Sequence, residues 1–195
     1  MNNLKAVGLT AIVAAALLAF AGSASATTIT SPTGTTYTGT IKLEIEGGLK
    51  LHGAFTTIDC TNASIEEKIE KHGAGVTAGG NISSVIVSGC NFAVTVLKKG
   101  SMEIHAQTVG SEVNGTVTLS GSEITVATSI GSCIFTTSGT SIGTLTGSQA
   151  TGSSSTLDIG SSVIPRTAGN FLCGSSGTLT GSFKTTTPSA SWIDS

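Results

Sequence analysis

From Gly39 onward, apolar and polar residues alternate along much of the chain. In TIKLEIE, Thr40 to Glu46, the residues Ile41, Leu43 and Ile45 fall on one side and Lys42, Glu44 and Glu46 on the other. Successive side chains of a strand point to opposite faces, so this period of two marks a half-buried antiparallel strand. EITVATSI (Glu123 to Ile130), VIVSG, FAVTVL (Phe92 to Leu97), SMEIHAQTV (Ser101 to Val109) and the twin GTLTGS segments at Gly143 and Gly177 read the same way, parted by Gly, Ser and Asn turns. About a dozen strands at this spacing predict an all-β antiparallel fold, a sandwich or a barrel.

One stretch supports two readings. In SIEEKIEKHG, Ser64 to Gly73, Ser64 and Glu67 have capping-box spacing, Ile65 and Ile69 sit one turn apart, and Gly73 can end a short helix. The same letters alternate as a strand with Ile65, Glu67 and Ile69 on one face. The neighbouring strands favour the second reading, with the charges on a solvated face.

Laid against itself, the chain repeats. GTIKLEIEG from Gly39 is echoed by GTVTLSGSEITV from Gly115, and TIDC ending at Cys60 by SIGSC ending at Cys133. SSVI recurs at Ser83 to Ile86 and Ser161 to Ile164, and GCNF at Gly89 to Phe92 is answered by GNFLC at Gly169 to Cys173. The order is kept throughout, which suggests two tandem related halves, residues 39–110 and 115–187, within a β domain spanning 39–187. The segment IPRTA, Ile164 to Ala168, resembles a wall-sorting signal, but no hydrophobic stretch with a basic end follows it. Within a repeat, PRTAG is instead expected to be a turn insertion, with Pro165 fixing its own φ and Gly169 taking a left-handed conformation.

Composition adds location. Residues 1–26 carry Lys5, an apolar run from Ala6 to Phe20 and a small-residue end, Ala24-Ser25-Ala26, the layout of a secretory signal peptide. Its removal takes away one of nine basic and none of eleven acidic residues, leaving a net charge of −3. That charge is too slight to call for a charged partner, and no Lys/Arg cluster suits nucleic acid. No later apolar run is long enough to span a bilayer as a helix. Residues 27–38 read as an extended N-terminal arm and 188–195 as a C-terminal tail. The four cysteines, Cys60, Cys90, Cys133 and Cys173, all lie in the exported part and read as two disulfides. Four cysteines allow three connectivities; one pair per repeat favours Cys60–Cys90 with Cys133–Cys173.

Candidate chemistry is thin. GTSIG, Gly139 to Gly143, fits G-x-S-x-G around Ser141, but no helix pattern follows it, as a hydrolase nucleophile elbow requires. Glu44 and Glu46 share a face, yet the aromatic platforms of a glycosidase cleft are missing: aromatics are 4% of the chain, with Trp192 and Tyr37 the sole Trp and Tyr. HGAGVTAGG lacks the Lys-Ser/Thr of a phosphate loop and reads as a loop. His52, His72 and His105 form no metal-ligand spacing with the cysteines, so no metal or other cofactor is expected.

The segments VTVLKKGSMEIHA, CIFTTSGTSIGTLTGS and VIPRTAGNFLCGSSGTLTGSFKTTTPS resemble a type of uncharacterised exported bacterial protein with a Cys-bearing, Thr/Gly/Ser-rich β domain. The alternation of Cys with G-x-L-x-G strands is similar, at the level of pattern, to the exported alkane-oxidation activator family associated with biofilm matrix. The resemblance implies export and a β fold, and no functional residue carries over. The sequence-based expectation is a secreted, non-enzymatic structural or adhesive protein of the cell envelope or extracellular matrix. It would partner itself or other matrix components through the arm. A carbohydrate- or small-ligand-binding module is the competing class. Secretion from a bacterial host is expected to yield a chain beginning at Thr27 by mass spectrometry; a membrane-bound product still starting at Met1 would refute the export signal.

Overall fold

In the computed structural model, residues 26–31, 34–54, 56–70, 73–74, 77–106, 114–129, 131–147, 154–188 and 192–194 are described. The signal-peptide assignment therefore lies outside the described residues, apart from Ala26. The strands are β1 (Ala26–Thr30), β2 (Thr40–His52), β3 (Thr57–Lys68), β4 (Gly73–Ala74), β5 (Ala78–Cys90), β6 (Ala93–Lys98) and β7 (Ser101–Ala106). They continue as β8 (Asn114–Ser120), β9 (Glu123–Thr128), β10 (Gly131–Thr136), β11 (Thr140–Thr146), β12 (Thr156–Gly169), β13 (Ser176–Thr187) and β14 (Trp192–Asp194). Among the described residues a single 3-10 turn, Phe171–Cys173, follows β12.

Of the two architectures the alternation allows, the chain adopts the barrel. Every ladder is antiparallel, and β2, β3, β5, β7, β8, β11, β12 and β13 form a ring that closes where β13 pairs with β2, Phe183 opposite Ile45 and Leu179 opposite Leu51. The remaining long-sheet strands extend these staves. β6 runs into β7 and pairs with β9, β9 continues β8 and pairs with β10, and β10 continues into β11 and pairs with the far end of β12. The wall is thus an up-and-down meander of eight long staves: β2, β3, β5, β6–β7, β8–β9, β10–β11, β12 and β13. Three consecutive staves are broken at Gly100, Gly121 and Gly139, each with positive φ (73°, 69° and 60°). At Gly100 a Cβ would also collide with the Ser120 carbonyl oxygen, so that position needs glycine on both counts.

Cys60 stands opposite Leu49 in the second stave, as Cys133 stands opposite Val126 in the sixth; the two SSVI segments lie in β5 and β12. The core is inside the ring. Ile41, Leu43, Ile65, Met102, Ile104, Val117, Val126, Phe135, Ile142, Leu157, Ile159 and Phe183 are all buried there. Outside, Lys42 pairs with Glu44 at 2.8 Å and Lys184 with Glu46 at 3.2 Å, so the two acids singled out in β2 sit on a solvated face. Such exposed pairs contribute little to stability.

Three expectations are revised. Residues 64–68 are strand, as their neighbours suggest, but Glu67 points inward with Ile65 and Ile69 and has no exposed surface. Inward pointing follows from the alternation itself, which a charge does not alter. PRTAG is not a turn: Pro165 to Gly169 complete β12, with Pro165 opposite Ser176 and Arg166 opposite Phe135. Pro165 is exposed, and Arg166 continues the pairing by donating its N–H to the Ser175 carbonyl. HGAGVTAGG is only in part a loop, since Gly73–Ala74 and Ala78–Gly80 are strand; His72 lies outside the described residues.

The N-terminal segment is engaged within the chain. β1 pairs with β4 on one edge and with β14 on the other, Ile29 opposite Ile193, so the tail contributes a strand too. Ile29 is buried in the core, and the Ala106 N–H donates to Thr27 Oγ1.

Two disulfides are present, Cys60–Cys90 and Cys133–Cys173, and no described cysteine is free. The first joins directly opposed residues of β3 and β5; the second ties β10 to the 3-10 turn. They place the protein in an oxidising, non-cytoplasmic environment. Among the described residues no helix is long and apolar enough to cross a membrane. In the chain-entropy account, a loop of 30 or 40 residues corresponds to about 3–4 kcal/mol of stability. Replacing Cys133 and Cys173 together by alanine is expected to lower stability by about that amount in urea unfolding, with strand content unchanged by circular dichroism. A variant as stable as the parent would show the link to be dispensable.

Candidate binding site

The barrel interior is not completely filled. A cavity of about 120 Å3 lies inside the wall, lined from all eight staves. Leu51, Ile58, Ile82, Leu119, Val126, Phe135, Ile142, Ile159 and Phe183 form its closed sides and are buried. Val85, Val87, Val94, Val96 and Ile124 also line it but are only half-buried. These five sit on β5, β6 and β9 and are the largest group of half-buried lining residues; Leu49 of β2 and Leu179 of β13 are half-buried lining as well.

The wall explains the larger group. Every other pair of neighbouring staves is hydrogen-bonded at both of its ends. β5 pairs with β7 only over Ala78 to Asn81, and no ladder joins the rest of β5 to β6. A slot remains between residues 83–90 and 92–98. At one end it is closed by the β5–β6 turn: the Cys60–Cys90 disulfide fixes β5 to β3, and Asn91 exchanges backbone and side-chain bonds with Asp59 and Thr57. At the other end, Lys99 Nζ donates to the Ser83 carbonyl at 2.6 Å and the Ile82 N–H donates to the Gly100 carbonyl at 3.0 Å.

The polar lining is confined to the breaks in the staves. Lys98, Ser122 and Thr137 are the polar lining residues. The Lys98 ammonium lies 2.9 Å from Glu123 Oε2 and is well exposed, so its aliphatic stem alone faces the cavity. Thr137 Oγ1 accepts from the Ser122 N–H, and Ser122 Oγ donates to the Lys99 carbonyl. The site therefore offers an apolar chamber whose one charged lining residue is Lys98, with no base poised beside a nucleophile.

The residues the sequence raised for chemistry lie elsewhere. Ser141 is exposed in mid-strand on β11, opposite Thr118, with no helix after it. Glu44 and Glu46 are outside the ring. Of the four cysteines, Cys60 alone reaches the cavity, as lining. The lining valines were legible as strand faces, but a one-dimensional pattern does not say which two neighbouring strands stay unpaired. Comparison with known protein families, with curated proteins and with solved structures gave no match.

Glu67 is a separate interior feature. It stands between Ile41 of β2 and Ile82 of β5, and Oε1 accepts the Gly80 N–H. Oε2 has no partner among the described residues. Burial pushes its pKa up from 4.5 to about 8; the Gly80 bond opposes this, while Glu103 and Glu70 add to it. A buried carboxylate is costly, so the fold holds the neutral acid at neutral pH. Between pH 4.5 and 8 the unfolded chain has released this proton and the folded one has not. Stability therefore falls as pH rises through that window, by on the order of several kcal/mol, and levels off above it. Glu67→Gln is expected to match the parent at pH 5 and to melt higher at pH 9 by calorimetry. A parent–variant difference that does not change between those pH values would contradict the neutral buried acid.

Proposed function

We propose that this is an exported, non-catalytic binding protein that takes a small apolar ligand into its barrel through the slot between β5 and β6. The observation that carries the reading is the apolar cavity lying behind the end of the wall where β5 and β6 share no ladder. An eight-stranded barrel has an interior just wide enough to be filled by side chains or to hold one small ligand, and a dry chamber of this kind favours apolar guests. A cavity of roughly 150 Å3 accepts benzene, so 120 Å3 has room for about five carbon atoms. The lining supports binding over catalysis, since its single charged group is engaged with Glu123.

The envelope or matrix setting anticipated from the export signal stays in the proposal as the place where the ligand is met. Assembly through the N-terminal arm does not, because β1 is paired within the chain, with β4 at Ala26 and Thr27 and with β14 from Thr28 to Thr30.

Methyl NMR with benzene or 1-hexanol as probe tests the reading. Shifts are expected at Val85, Val94, Val96 and Ile124, and Val96→Phe, which fills the slot, is expected to weaken them at least about tenfold. Shifts scattered over exposed Ile86 and Phe171, or none at probe saturation, would leave the cavity without a binding role.

A further inference from the structure

Apolar and charged groups meet at one end of the slot. Lys98 lines the cavity with its stem, and its ammonium stands outside beside Glu123. Lys99, the next residue, holds the slot's end through the Ser83 carbonyl. Two ammonium groups and one carboxylate leave this rim net positive. Along the slot, Ile86 and Leu97 point outward and are 56% and 49% exposed, so the opening has an apolar lip as well as an apolar floor.

The shape of the opening limits what can thread it. β5 and β6 are joined by Asn91 and Phe92 alone, and the slot between them is tied at both ends. A flexible single chain of carbons fits such a passage better than a rigid ring system. The chamber behind accepts about five carbons, so a longer chain leaves its remaining carbons in the slot between the valines. The chain's other end then lies at the lysine rim.

Resting on the binding role proposed above, we infer that the ligand is an amphiphile: an unbranched, medium-length alkyl tail occupies the slot and cavity, and an anionic head such as a carboxylate is held by Lys98 and Lys99. Glu123 competes with the head for Lys98. A charge-assisted bond from an ammonium to a carboxylate is roughly twice as strong as a neutral one, so the head group discriminates among ligands of equal tail length.

Isothermal titration calorimetry of the secreted, disulfide-intact protein with octanoate and with 1-octanol, at pH 7.5 and low salt, separates the two levels of the argument. Octanoate is expected to bind at least about tenfold more tightly than 1-octanol. In the Lys98→Met, Lys99→Met double variant, the ratio of octanoate to 1-octanol affinity is expected to fall to about one. Glu123→Gln, which frees Lys98, is expected to tighten octanoate alone. Equal or weaker binding of octanoate by the parent, or an octanoate preference that survives in the double variant, overturns the anionic head while the apolar site stands. Binding of neither ligand overturns the apolar site as well.

Discussion

Closure of the ring by β13 on β2 is the constraint from which the rest follows. A meander of staves has two exposed edges of unpaired N–H and C=O groups, and only closure removes both. Here closure joins residues from opposite ends of the domain, Thr185 to Leu43 and Thr178 to His52, so the interior is not sealed until nearly the whole chain has been placed. Contacts of such sequence separation make folding slow.

Given closure, the slot is a local exception. β5 is hydrogen-bonded to β3 from Glu67 to Cys60 along one edge, which holds it in line with the ring. β6 instead follows β9, beyond the break at Gly100. The two strands are bound to different neighbours and part between their shared turn and the Lys99 tie. With the disulfide at one end and the lysine at the other, the opening has a fixed length.

Much of this was legible in the chain and some of it was not, for physical reasons. Period-two alternation located the strands because each has one face on the core, and the cysteine pairing followed from the order of the repeated segments. Alternation does not distinguish a closed ring from two packed sheets, since both give every strand one buried face. The alternation put Glu67 on the face of Ile65 and Ile69, and only its charge suggested a solvated position; register decides, and the carboxyl is buried with the two isoleucines. PRTAG was misread because a proline and a glycine together suggest a turn, yet Pro165 sits at an exposed position and Gly169 ends the strand with φ of 100°. The slot had no signal at all, for β5 and β6 both alternate normally; only the partner is missing.

The cavity follows from composition. An eight-stave interior has a fixed diameter, and large side chains must fill it. This chain brings few: its inward positions are mostly Val, Ile and Leu, and Phe135 and Phe183 are the aromatic residues among the fully buried core. Branched aliphatics that suit the pleated wall are too short to meet at the centre. Vacant space at roughly 24 cal/mol per Å3 makes a 120 Å3 void cost about 3 kcal/mol. That is close to the contribution of one of the two disulfides, and a single Val→Phe exchange at Val126 or Val94 would supply only part of the missing volume. The cross-links thus offset the cost of an unfilled centre.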